Sequence, residues 1–407
     1  MYGSLAVQHK DKNDNVAPKF IVDSERKHKY VKSDIYVNGQ KQNFQFVTPE
    51  EEALKGGRRR QSAGEHAGAG EEEEGLVVVM ICTKLASLTA ALEQCRPFVC
   101  LPPTTEEDEA AEEADGAAPA QPHMRPNVVI FSVINGITKE SVMAQYYPKS
   151  AIVAGVAQAV AGRTTTAPPA SGHAAGAHGQ GSICVNYDYV GKVHVGEADG
   201  DTASPRLRAV ATYLNNAGIT CEIQGNIRRI MWSKFMLNVG VNQAVTAAMG
   251  SYFDIQKTAA FRAKKEAEGN AAVTKEERYQ YANYNNPQAR QWMMEAMREA
   301  LTLSHFVPCY DFEGHPAPRT PAEAEKRSEM QAMKINLTDE DVAYWDDVMQ
   351  GVDGQQAPSM RQDIGAGRQT ELPLFAETII ALGKKYNVPT PVNQELYDRI
   401  AALERNL

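Results

Sequence analysis

The sequence predicts an α/β domain built on a parallel sheet, followed by an all-helical domain, and three observations carry that expectation. Short β-branched or mixed apolar runs recur in the first half, at 19-KFIVD-23, 75-GLVVVMICT-83, 127-NVVIFSVI-134 and 151-AIVAGVAQAV-160. Brief continuous runs of this kind are the mark of strands covered on both faces. The next run, 183-ICVNYDYVGKVHVGE-197, alternates more and predicts an antiparallel extension. From about residue 227 the character changes to helix after helix, over 227–249, 287–305, 318–335, 338–350, 371–386 and 393–406. A first domain over 1–226 and a helical domain over 227–407 follow from that change.

At the head of the chain, Tyr2–Val7 reads as the first turns of a helix, with Gly3 and Ser4 small enough for close packing. Three stretches read as insertions into the first domain: 56–74, 102–126 and 163–182. All are rich in Gly, Ala, Pro and charge and poor in side chains that could pack. His173 and His178 fall in the last of them, and their Gly/Ala surroundings favour a loop over a metal site. Segments 252–285 and 306–345 are long and polar and carry no clear assignment.

Composition narrows the function. A chain of 407 residues is long enough for two domains, and 43% hydrophobic content with 16 Tyr and 11 Phe suffices for buried cores. The formal charge of −9 argues against a nucleic-acid binder or a polybasic membrane protein, although 71-EEEE-74 and 106-EEDEAAEEAD-115 hold much of the acidity. The six cysteines at 82, 95, 100, 184, 221 and 309 form no CxxC pair and no metal-ligand spacing, as expected of reduced thiols in a cytoplasmic protein. No apolar run reaches the length of a membrane span.

Chemistry concentrates in 228-RRIMWSKFMLNVGVNQAVTA-247. Lys234, Asn238 and Asn242 are spaced i, i+4, i+8 and share one helix face within about 80° of arc. Met231, Phe235, Leu237, Val241 and Val245 would bury the remainder. On spacing alone a solvated polar stripe is the plainer reading, but two Asn inside a helix are unfavourable enough to want a reason. In 357-APSMRQDIGAGRQTELPLF-375, Ser359 and Glu371 flank a glycine-containing stretch with Asp363 and Arg368 between them, which helix capping and surface ion pairs would also explain. Strand 127–134 ends in Asn135-Gly136, and Lys84 follows the strand 75–83. Both places are where a doubly wound sheet meets its ligand, or ordinary turns.

Taken together, 80-MICTK-84, 132-SVINGI-137, 193-VHVGEADG-200, 231-MWSKFMLNVGVNQAVTA-247 and 359-SMRQDIGAGRQTEL-372 give the chain a resemblance to the ketopantoate reductase (2-dehydropantoate 2-reductase) family. The W-x-K-x-x-x-N-x-x-x-N helix with S-M-x-x-D and T-E is the specific part, and the resemblance runs from about residue 19 to the end. It implies a Rossmann-like domain, a helical C-terminal domain of the 6-phosphogluconate dehydrogenase-like kind, and an active site in the cleft between them. It further implies NAD(P)H-dependent reduction of ketopantoate to pantoate, in pantothenate and coenzyme A synthesis, on a small-molecule keto acid, in a protein that is often a homodimer. Residue by residue, Lys234 would be the general acid and Glu371 the acidic residue that orders it. Asn238 and Asn242 would bind the substrate hydroxyl and Ser359 its carboxylate. Asn135 and Lys84 would lie against the cofactor. The family usually prefers NADP, and Arg26 or Lys27 in 24-SERKHKY-30 could meet its 2′-phosphate, whereas Asp23 at the end of 19-KFIVD-23 favours NAD.

One departure stands out. The glycine fingerprint G-x-G-x-x-G is absent, and Met1 falls where the family register would place the end of that loop. The expectation is a chain lacking the first strand and phosphate-binding turn, which would bind dinucleotide poorly. Reduction of another 2-keto acid, or a truncated non-catalytic paralogue acting as a binding module, are the alternative readings.

Overall fold

The computed structural model describes residues 1–14, 16–55, 75–101, 123–164, 183–313 and 317–407. The insertions expected at 56–74, 102–126 and 163–182, with His173 and His178, lie outside the described residues except at their margins. There, Arg163 and Thr164 belong to a strand rather than to a loop. The chain divides into two compact units. The first is Met1–Ile134 and Lys139–Ile227 with Glu313, and the second is Asn135–Thr138, Arg228–Phe312 and Ala317–Leu407.

The first unit is the α/β half. Its strands are β1 (Lys19–Ile21), β2 (Ile35–Val37), β3 (Gln40–Gln42), β4 (Gln45–Val47), β5 (Val77–Ile81), β6 (Val128–Ser132), β7 (Ile152–Thr164), β8 (Ile183–Gly196) and β9 (Thr220–Ile223). Its helices are α1 (Tyr2–Gln8), α2 (Ser24–Val31), α3 (Leu88–Val99), α4 (Lys139–Tyr146) and α5 (Pro205–Asn216). The main sheet runs β3-β2-β8-β7-β6-β5, and β9 also pairs with β8. β5, β6 and β7 are parallel, while β7 and β8 form a long antiparallel hairpin.

Strand β6 shows why a continuous apolar run folds this way. All five of its residues are buried, and they alternate between two cores. Val129 and Phe131 join Ala6 of α1, Val153 of β7 and Leu207, Val210 and Leu214 of α5. Val128 and Ile130 join Leu88, Leu92 and Val99 of α3 and Met143 of α4. A strand with helices on both faces buries every side chain, each large one contributing about 1.5–3 kcal/mol.

Two features depart from expectation. β1 pairs with β4 in a separate two-stranded sheet, so the four apolar runs do not form one continuous parallel sheet among the described residues. Aromatic packing accounts for this pairing: the Phe20 ring lies 4.4 Å from that of Phe44 and 5.9 Å from that of Phe46. The hairpin β2–β3, which the apolar runs did not signal, turns at Asn38-Gly39 with φ of 46° and 77°. Asn38 fixes it to β8, its Nδ2 donating to the Tyr187 carbonyl at 3.0 Å and its Oδ1 accepting from the Tyr187 amide at 2.9 Å.

In the second unit, α6 (Ile227–Ala247) enters from the first and is followed by α7 (Ala259–Ala267), α8 (Pro287–Ser304), α9 (Pro321–Ala332), α10 (Asp339–Gln350), α11 (Ser359–Gly365), α12 (Thr378–Tyr386) and α13 (Pro391–Glu404). The expected helix over 371–386 forms, with a π-helical first segment, Pro373–Glu377, running directly into α12. Pro373 sits at the start of that segment, where a missing N–H costs no ladder bond.

The unassigned segments 252–285 and 306–345 fold through local caps and one buried charge cluster. Reciprocal capping boxes form at Ser251/Asp254, Thr274/Glu277 and Thr338/Asp341. Asp346 of α10 accepts from Arg290 of α8 at 2.6 and 2.9 Å and pairs with Arg278, and Arg290 also donates to Tyr284 at 2.9 Å. Burial alone would raise the Asp346 carboxyl, but the Arg290 and Arg278 guanidiniums outweigh it and hold the group below its ordinary range.

Candidate active site

The central element is α6. Its apolar residues pack inward: Trp232 and Phe235 meet at 5.7 Å, and Phe235 meets Phe375 at 6.3 Å. The Trp345 indole donates to Ser233 at 2.8 Å, and Arg229 pairs with Asp341 at 2.7 Å, tying the helix to α10. Gly240 brings α6 against α8 so closely that a Cβ there would lie 2.4 Å from Met297 Cγ.

On the polar stripe, Lys234 is half-buried, whereas Asn238 is 9% exposed and Asn242 6%. The two amides join one turn apart, Asn242 Nδ2 donating to Asn238 Oδ1 at 3.2 Å. That bond leaves Asn238 Nδ2 and Asn242 Oδ1 without hydrogen-bond partners among the described residues. An unmet buried amide costs about 1–3 kcal/mol, so a donor and an acceptor left side by side are complementary to a ligand group that can both accept and donate. A hydroxyl has that capacity.

Glu371 and Asn135 come to the same neighbourhood of the second unit. Glu371 is half-buried, and its carbonyl accepts from Leu374 at 3.0 Å in the turn that carries Phe375 toward Phe235. Gly136, at φ +95°, rests against the Leu374 side chain, where a Cβ would fall 2.3 Å from Cδ1. The turn 371–375 therefore lies between the neighbour of Lys234 on one side and the neighbour of Asn135 on the other.

Ser359 opens α11 and is exposed. Between it and Glu371, buried Asp363 accepts from Arg368 Nε at 3.0 Å, which clamps the intervening glycine turn. This pair reads as structural. In the first unit, Lys84 is exposed and precedes a single 3₁₀ turn, Leu85–Ser87. Asp23 caps α2, accepting from the Arg26 amide at 2.6 Å and pairing with its guanidinium at 3.4 Å. Lys27 pairs with Glu51, so both basic residues near the strand end are engaged by carboxylates.

Sequence reasoning passed over Thr246, although it continues the i+4 spacing of the stripe. Among the described residues there is no group of three or more His, Cys, Asp or Glu side chains that could hold a metal ion. None of their helices is long and apolar enough to cross a membrane.

Residues 270–404 match the family described as ketopantoate reductase PanE/ApbA, C terminal. No curated protein matches the sequence. Similar solved structures span nearly the whole chain. A D-mandelate dehydrogenase with NADH and anilino(oxo)acetate shares 16% identity and a TM-score of 0.60, covering 100% of this chain and 94% of its own. A 2-dehydropantoate 2-reductase from Geobacter metallireducens shares 14% identity and a TM-score of 0.58, covering 98% and 95%. A PanE/ApbA family ketopantoate reductase from Ralstonia eutropha shares 13% and 0.54, covering 100% and 94%. At these identities the likeness establishes the fold, a Rossmann-like domain followed by a helical one.

Proposed function

We propose that the chain, whose residues 270–404 match the ketopantoate reductase PanE/ApbA C-terminal family, reduces a small 2-keto acid with a reduced nicotinamide cofactor, ketopantoate being the leading substrate. The observation that carries the proposal is the buried Asn238–Asn242 pair, with its unmet donor and acceptor, two turns along the face that begins at half-buried Lys234.

The residues divide the work by chemistry. The Lys234 ammonium polarises the 2-keto oxygen and delivers the proton that the oxygen needs when the carbon is reduced. Glu371 orders that ammonium. Asn238 and Asn242 take the substrate hydroxyl, and Ser359 takes the carboxylate at the first turn of α11.

A dinucleotide would meet the protein at the strand ends. Asp23, two residues past β1 and paired with Arg26, carries a carboxylate of the kind that accepts from a ribose hydroxyl, and Lys84 offers a cation after β5. These residues suit the group, as does Asn135 after β6. The nicotinamide supplies the hydride when bound. NADP is the family's habit and Arg26 its phosphate contact, while Asp23 and the NADH in the D-mandelate dehydrogenase complex support NAD as well. A cytoplasmic setting agrees with six cysteines that are all free thiols. A homodimer is the assembly the family implies.

The test is oxidation of NADPH and NADH in the presence of ketopantoate, by this chain and by a form preceded by a strand and a glycine-rich turn. Turnover by either form supports the reading, and turnover by the second alone places the defect in the pyrophosphate grip. Failure of both with ketopantoate and with other 2-keto acids refutes it.

A further inference from the structure

Four buried polar atoms without hydrogen-bond partners among the described residues cluster on one stretch of α6: Asn238 Nδ2, Asn242 Oδ1, Gln243 Oε1 and Thr246 Oγ1. Gln243 is otherwise spoken for, its Nε2 donating to the Val239 carbonyl at 2.8 Å and to Asn393 Oδ1 at 2.9 Å. Thr246 is different. It lies four residues beyond Asn242 on the same face, about 6 Å further along the helix axis, and its side chain leans back toward Asn242 as helical side chains do. A threonine inside a helix commonly turns its hydroxyl onto the carbonyl four residues before it, yet the Thr246 hydroxyl makes no such bond.

Burial deepens in step along this face. Lys234 is half-buried, Asn238 9% exposed, Asn242 6% and Thr246 0%. That gradient is the one a blind-ended site would show, with its mouth at the lysine and its floor at the threonine. One hydroxyl placed between Asn242 and Thr246 would donate to Asn242 Oδ1 and accept from Thr246 Oγ1, satisfying both groups at once.

We propose that Thr246 is a specificity-determining residue at the closed end of this site, selecting 2-keto acids that carry a chain hydroxyl over those that lack it. The proposal rests on the reading of α6 as the substrate helix and adds a contact to it. No bond is made or broken at Thr246.

The experiment is calorimetric binding of 4-hydroxy-3,3-dimethyl-2-oxobutanoate and of its deoxy analogue 3,3-dimethyl-2-oxobutanoate, to the wild-type chain, Thr246→Val and Thr246→Ser. Binding is read directly, so the result does not depend on turnover. The wild type and Thr246→Ser should favour the hydroxylated acid over the deoxy acid about fivefold more strongly than Thr246→Val does, the worth of one neutral hydrogen bond, with Asn238 and Asn242 supplying the remainder in all three. A preference that survives undiminished in Thr246→Val overturns the proposal. So does a Thr246→Val protein that binds both acids as the wild type does and changes only in melting temperature, because the hydroxyl then serves an internal water. If neither acid binds any form, both the proposal and the substrate reading fail; if both bind equally to all forms, the proposal alone fails.

Discussion

Replacing Gly240 with Ala probes the join on which the site helix depends. The added Cβ would lie 2.4 Å from Met297 Cγ, 3.0 Å from Met297 Sδ and 2.8 Å from the Met293 carbonyl oxygen. Met297 can swing aside, but the Met293 oxygen is backbone and retreats only if α8 moves away from α6. Overpacking of this kind costs about 1–3 kcal/mol, and alanine recovers about 1 kcal/mol of helix propensity over glycine. The net loss is up to about 2 kcal/mol, or a fall in melting temperature of up to about 8 °C for a unit of this size. Tryptophan fluorescence is the suitable readout, since Trp232, Trp292 and Trp345 all belong to the second unit. Because Gly240 stands between Asn238 and Asn242, keto acid affinity should fall with stability. Adding Met297→Ala should recover part of the loss by removing two of the three close atoms. A melting temperature above that of the wild type would refute the close approach of the two helices.

Two further outcomes follow from the same unit. Gly136→Ala meets both a φ of +95° and the Leu374 side chain, a strain of about 1–3 kcal/mol; it should lower kcat/KM at least tenfold by displacing the turn beside Glu371, as steady-state kinetics would show. Asp346→Asn strands two buried guanidiniums and should cost about 3–5 kcal/mol in urea unfolding at pH 7. Since the Asp346 carboxyl titrates below its ordinary value in the folded state, its contribution is complete above the unfolded pKa of about 4 and drains away as pH falls below that. The gap between wild type and Asp346→Asn should therefore narrow below pH 4, and a gap that widens there would contradict the pairing.

The α/β-then-helical order was legible in the sequence for a physical reason. Strands such as β6, sandwiched by two cores, must be apolar at every position, and that signal survives without any partner being known. Hairpin β2–β3 was overlooked although Asn38-Gly39 is a strong turn signal, because its strands are three residues each and carry only Ile35, Tyr36 and Val37 as apolar content. The Arg278, Arg290 and Asp346 cluster could not be read at all. Asp346 stands 68 residues from Arg278 and 56 from Arg290, and nothing local marks a charge that will be buried. On α6 the opposite holds, since period alone puts Lys234, Asn238, Asn242 and Thr246 on one face. What period could not supply is the inward gradient of burial and the pairing of the two amides, both of which depend on the elements packed around α6. The pairing of β1 with β4 was likewise hidden, because it depends on which edge Phe20, Phe44 and Phe46 can share.

The most direct measurement of the central claim is the turnover of Lys234→Ala beside the wild type, in the form that reduces a 2-keto acid. If the Lys234 ammonium delivers the proton, kcat falls by about 10²- to 10⁴-fold, while the melting temperature and the affinity for the hydroxylated acid stay close to those of the wild type. A variant that keeps kcat within a few fold of the wild type would contradict the assignment, and with it the reading of α6 as the catalytic helix.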